Sequence, residues 1–94
     1  MEYTELNRLD LSILLILVNE EAMNELNGMT INEINLYNEE KPLSTRPNLS
    51  KRIRKLHSVG LIEKGVKDIT SDTYFITEKG LTTIKWNGGK KDEQ

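Results

Sequence analysis

The segment from Tyr3 to Val18 leaves this chain the fewest choices. Tyr3, Leu6 and Leu9, then Leu11, Leu14, Leu15 and Val18, recur at spacings of three and four, which predicts an amphipathic helix or two abutting helices. Ile13, Ile16 and Leu17 thicken the apolar face until little of the turn is polar, so the helix belongs at the centre of the core. Thr4 and Asp10 are both available as its N-cap. The polar stretch Asn19 to Gly28 either prolongs the helix or forms a loop, with Gly28 as the natural stop.

A core built on one such helix must be lean. The chain has 94 residues, 36% of them apolar and 30% charged, and one domain of that size buries roughly 60 to 65% of its unfolded surface. A single domain over residues 1–87 is expected, followed by a polar tail, 88–94, and dimerisation would extend the core. There is no cysteine, which excludes disulfides and thiolate chemistry. The longest apolar run, Ile13 to Val18, is far short of the roughly 20 residues of a membrane-spanning helix, and the acidic start Met1-Glu2 is no signal-peptide head. The expected location is the cytoplasm.

Charge is distributed unevenly. Residues 1–40 hold nine acids against Arg8 alone, a balance of −8, whereas residues 41–94 hold twelve Lys/Arg against six acids, a balance of +6. Between Lys41 and Ile62 stand Lys41, Arg46, Lys51, Arg52, Arg54 and Lys55 without one acid. Such a block attracts anions although the whole chain carries −2.

The remaining elements follow from caps and periodicity. Thr30 and Glu33 form a capping-box pattern ahead of Ile31, Ile34 and Tyr37, predicting a second helix over about 30–38. Ser44 can cap a third helix with Pro47 in its first turn and Leu49, Ile53 and Leu56 as its buried stripe. Gly60 ends it, with Leu61 placed to touch Leu56. Leu61 to Val66 and Thr73 to Ile76 read as strands around a polar tip, Lys67 to Asp72, and Thr77 caps a last helix carrying Leu81, Ile84 and Trp86. The fold class is therefore α+β, mainly α: three helices, a β wing of two or three strands and a short C-terminal helix.

On the third helix, the side opposite Leu49, Ile53 and Leu56 holds Asn48, Lys51, Arg54, Lys55 and Ser58, with Thr45 and Arg52 on the flank. A helix about 10 to 12 Å across fits the major groove of duplex DNA, and Arg and Asn match guanine and adenine edges there. The run Leu49-Ser50-Lys51-Arg52-Ile53-Arg54-Lys55-Leu56-His57-Ser58-Val59-Gly60-Leu61-Ile62-Glu63-Lys64 resembles the recognition helix and first wing strand of winged helix-turn-helix bacterial regulators of the MarR and PadR kinds. Tyr74 to Leu81 is similar to their second wing strand and following turn, and Met29 to Ile34 to their second helix, so the resemblance covers roughly residues 10–84.

The resemblance implies a dyad-symmetric homodimer on double-stranded DNA, with the third helix in the major groove and the wing on a phosphate or the adjacent minor groove. Mapped onto this chain, Asn48, Lys51, Arg52 and Lys55 fall on the groove side, and Lys64, Lys67, Thr70 and Ser71 on the wing. The full candidate set adds Thr45, Arg46 and Arg54. Lys51, Lys55, Lys64 and Lys67 suit phosphates, and Asn48, Arg52 and Arg54 suit base edges. Two departures stand out: the connection Asn38 to Leu43 is longer than the tightest turn, and the wing tip carries lysine where many relatives carry arginine.

Other residues have plainer readings. His57, the single histidine, lies toward the buried side as a packing or wing-supporting residue. Glu20, Glu21, Glu39 and Glu40 read as solubilising surface, and Tyr3 and Trp86 as core or interface closures rather than base-stacking platforms. Nothing forms a phosphate loop, a carboxylate pair or an activated nucleophile, so neither an enzyme, a cofactor nor a metal is expected. Three roles remain: a sequence-specific transcriptional regulator, an accessory protein marking an origin of transfer, replication or partition on a plasmid, phage or transposon, and a protein-interaction module.

Overall fold

Asn7 opens the first helix in the computed structural model, which describes residues 6–37 and 41–84. Its side chain accepts from the Asp10 backbone N–H at 2.9 Å while Asp10 Oδ2 accepts from the Asn7 backbone N–H at 3.0 Å, a reciprocal capping box. Asp10 is thus the third residue of α1 (Arg8–Asn19) and not its cap. Tyr3, Thr4, Asn38, Glu39, Glu40, Trp86 and the tail 88–94 lie outside the described residues.

Helix α1 buries Ile13, Leu14, Ile16, Leu17 and Val18, but Leu11 and Leu15 of the expected stripe stand 40% and 50% exposed. The helix stops before Gly28. Glu21 takes a left-handed conformation (φ 57°), its N–H donates to Val18 O and that of Ala22 to Leu17 O, which closes the orphan carbonyls of the last turn. A 3₁₀ turn over Glu25–Asn27 follows, capped by Asn24. Gly28 has an extended backbone and serves close packing: a Cβ there would lie 2.6 Å from Thr73 Oγ1.

Strand β1 (Met29–Thr30) runs directly into α2 (Ile31–Asn35), and the expected capping box of Thr30 and Glu33 is present. α2 is shorter than expected, its cap being Leu36, and Tyr37 remains 39% exposed. Asn35 ties the link to the next helix, accepting from Leu43 N–H through its carbonyl and from Ser44 N–H through its side chain. α3 (Arg46–Ser58) places Pro47 in its first turn and buries Leu49, Ile53 and Leu56 completely, as their spacing requires. Gly60 (φ 83°) ends it, donating to His57 O, and Leu61 N–H reaches back to Leu56 O.

β2 (Ile62–Lys64) and β3 (Thr73–Ile76) are antiparallel, with Ile62 opposite Ile76 and Lys64 opposite Tyr74. β1 pairs with the other edge of β3, Thr30 opposite Thr73, giving the sheet order β1-β3-β2. Met29 and Thr30, read from the sequence as part of the second-helix stretch, thus supply the third strand of a sheet expected to have two or three. Thr77 caps α4 (Glu78–Thr83), accepting from Gly80 N–H while its hydroxyl donates toward the carbonyls of Gly60 and Leu61. One core joins α1, α2, α3 and the sheet, with Ile62, Tyr74 and Ile76 as the sheet's share and Leu61 just ahead of β2. This is the expected α+β architecture in its winged helix-turn-helix order.

Candidate nucleic-acid interface

Helix α3 begins on Thr45, whose hydroxyl accepts from Asn48 N–H at 3.3 Å. The expected cap, Ser44, instead accepts from Asn48 Nδ2 at 2.8 Å. Thr45 is exposed, yet its oxygen serves its own helix. Next to it, Arg46 donates from Nη1 to Asn32 Oδ1 at 2.7 Å, so one bond spans the start of α3 and the side of α2 and leaves the rest of the guanidinium at the surface.

Along the outward face of α3, Asn48, Lys51 and Arg54 are exposed, and Lys51 and Arg54 make no hydrogen bond or ion pair with any described residue. They are one turn apart and point to solvent because Leu49, Ile53 and Leu56 hold the opposite face in the core. Lys55 is half-buried and has an interaction of its own. Ser58 turns its hydroxyl back onto Lys55 O.

Arg52 points elsewhere. Its Nε and Nη2 donate to Asp10 Oδ1 and Oδ2 at 2.7 and 2.6 Å, a bidentate pair in which Asp10 is fully buried and the arginine side chain only 19% exposed. Those hydrogen bonds raise the Arg52 pKa above its ordinary value, outweighing the opposing effect of desolvation. The guanidinium expected at base edges locks α3 to the start of α1. No sequence signal pairs the two residues, which are 42 positions apart.

The wing lysines are also engaged. Lys64 Nζ lies 3.4 Å and Lys67 Nζ 3.3 Å from the carboxylate of Asp72, and Lys67, with Lys64 adding, holds that carboxyl below its usual range. Thr70 and Ser71 are exposed at the tip. Between α3 and the wing runs a groove of about 610 Å³, lined by Ser50, Arg54, His57 and Ser58 on one side and Lys64, Asp72 and Tyr74 on the other. His57 supports this groove, its ring edge-on to Tyr74 at 6.4 Å and Nε2 at 3.8 Å from Glu63. A smaller notch of about 270 Å³ joins Asn32 and Arg46 to Thr70 and Ser71. Arg46 thus shares a notch with the wing tip and Arg54 a groove with Lys64 and Asp72, Asn48 and Lys51 are exposed on the same helix, and Arg52 is turned to Asp10.

Among the described residues no cluster of three or more His, Asp and Glu could hold a metal ion, and no helix is long and apolar enough to cross a membrane. No protein-family model matches the chain, and neither does any curated protein. Among solved structures, the chain is similar to TubR from Bacillus megaterium pBM400, with a TM-score of 0.75 and 21% identity over 89% of this chain and 88% of TubR. That likeness shows the winged helix fold over nearly the whole length of both chains.

Proposed function

We propose that this protein binds double-stranded DNA as a homodimer, with α3 in the major groove and the wing on a phosphate or the adjacent minor groove. The observation that carries this reading is the exposed pair Lys51 and Arg54, beside Asn48, on a helix face that holds no acid. Phosphates are neutralised by Lys51 and Arg46, while Arg54 and Asn48 are the residue types suited to base edges, Asn48 on releasing Ser44. Lys55 flanks them. Lys64 and Lys67 contribute less than their count suggests, because Asp72 cancels one of their two charges. Leu11 and Leu15, exposed one turn apart on α1, are the apolar surface available for a second subunit.

The most economical role is that of a cytoplasmic transcriptional regulator, a binding protein rather than an enzyme. Kinship with the MarR and PadR kinds rests on the resemblance of the stretches Leu49 to Lys64, Tyr74 to Leu81 and Met29 to Ile34 alone. The second reading, an accessory protein bound at an origin of transfer, replication or partition on a mobile element, draws on the likeness to TubR of pBM400. A footprint over a promoter supports the first role, and one beside an origin the second.

Binding itself is tested by a titration of backbone amide signals with a short mixed-sequence duplex at low salt, followed by the salt dependence of affinity. Shifts should cluster in residues 44–58 and 64–72. Lys51→Ala should weaken binding to every duplex and shallow the salt slope by about 0.9 for each phosphate left without its cation. A spectrum unmoved by DNA would overturn the proposal and turn the search to a protein partner.

A further inference from the structure

The tip of the wing is built against its own composition. A two-residue turn, Ile69-Thr70, is closed by reciprocal bonds between Asp68 and Ser71, N–H to O at 2.9 and 3.0 Å. Ile69 has φ 61°, and Thr70 is not among the residues with positive φ. Positive φ at the first central residue alone is the II′ pattern, in which glycine dominates because a side chain crowds the backbone there. A β-branched residue is among the least suited to it. Ile69 is also 90% exposed, the highest value among the large hydrophobic side chains of the described residues. A strained backbone thus carries an apolar side chain at the outermost point of the wing.

The surrounding charges say what it meets. Lys64 and Lys67 turn to Asp72, and Asp68 balances the remaining charge, so the tip is near neutral and is no phosphate clamp. Yet Thr70 and Ser71 share a notch with Arg46 and Asn32 at the start of α3, which puts the tip beside the cationic face. A duplex seated on α3 in the way the winged helix resemblance implies would present its adjacent minor groove there. Its floor offers few charges and flexible pyrimidine–purine steps, into which isoleucine is one of the side chains able to insert.

We propose that Ile69 is an apolar wedge that enters the minor groove next to the α3 footprint and partly unstacks a base step. The inference rests on the DNA-binding reading and extends it to the mode and the specificity of contact. The wing then favours deformable A·T-rich sequence without a hydrogen bond to any base.

The test compares wild type with Ile69→Asn and Ile69→Gly, both tolerant of positive φ. Affinity is measured for short duplexes of alternating A·T and alternating G·C steps across a salt series, and thermal midpoints are taken in parallel. The expected result has opposite signs. Relief of strain raises the thermal midpoint, while affinity for the A·T duplex falls about tenfold, the preference over G·C disappears and the salt slope is unchanged. Affinity and preference equal to wild type would overturn the wedge alone, provided Lys51→Ala still shallows the slope. If wild type binds neither duplex, the DNA-binding reading fails with it.

Discussion

Removing the Arg52 side chain should test the framework more sharply than removing any other cation on α3. In Arg52→Ala the Asp10 carboxylate, fully buried, keeps only the Asn7 N–H and loses both guanidinium bonds. Deleting one partner of a buried pair costs about 3 to 5 kcal/mol. The arginine side chain is 19% exposed, so water partly replaces it and the lower end, about 3 kcal/mol, applies. A domain of 94 residues has a total stability of about 5 to 14 kcal/mol and loses roughly 4 to 8 °C of thermal midpoint per kcal/mol. The expected drop is therefore about 12 to 24 °C by calorimetry or far-ultraviolet circular dichroism. Arg52 has a raised pKa in the folded state, so its contribution is fully present below the ordinary arginine value and is lost only as pH rises through the still higher folded one. Arg52 itself therefore stays charged across the neutral range. A double-mutant cycle with Asp10→Asn should return a coupling of about 1 to 3 kcal/mol. At a temperature where Arg52→Ala is still folded, its salt slope on DNA should equal that of wild type. A midpoint within about 2 °C of wild type would refute the buttress, since about 3 kcal/mol cannot hide in so small a shift.

Two further perturbations act on single residues. Glu21 occupies the left-handed position that ends α1, so Glu21→Gly should stabilise the fold by about 0.5 to 1 kcal/mol in chemical denaturation, the relief of strain exceeding the added freedom of the unfolded chain. Destabilisation there would show that the Glu21 side chain has a role of its own. Asp72 is held below its usual pKa by Lys67 and Lys64, so its contribution is present above the ordinary value of 3.8 and is lost as pH falls through the lower folded one. Carbon-detected titration of its carboxyl should give a midpoint under 3.8, and Lys67→Ala should move it back toward that value. No movement would mean that the two lysines do not engage it in solution.

What the sequence made legible were features whose cause is local. The stripe Leu49, Ile53, Leu56, the Gly60 stop, the Thr30–Glu33 box and the Thr77 cap are each written within a few residues, and each is present. Features fixed by distant partners were hidden. Gly28 reads as a helix stop until Thr73 is placed against it, and α1 in fact ends at Asn19, its chain reversed through the left-handed Glu21, a residue with no intrinsic preference for that conformation. The sequence points to Ser44 as the α3 cap, but the cap is Thr45, and the Ser44 N–H donates to Asn35 Oδ1, nine residues away in the chain. The same limit governed the candidate interface. A charge count marks α3 as basic, but it cannot show that Arg52 is consumed by Asp10 or that Asp72 draws in Lys64 and Lys67. Leu11 and Leu15 fit the helical period and still face outward, because the period gives the width of an apolar stripe and not how much of it the core covers.

Thr30 gives the interface its last property. Its backbone pairs with Thr73 in the sheet while its hydroxyl caps α2, so the helical unit and the wing share a residue with no slack between them. The molecule is therefore a fixed caliper rather than a hand with a free thumb. On a target read by both α3 and the wing tip, one base pair inserted between the two footprints would rotate them out of phase by roughly 35°. Such an insertion is expected to weaken binding, because Thr30 ties α2 directly to the sheet.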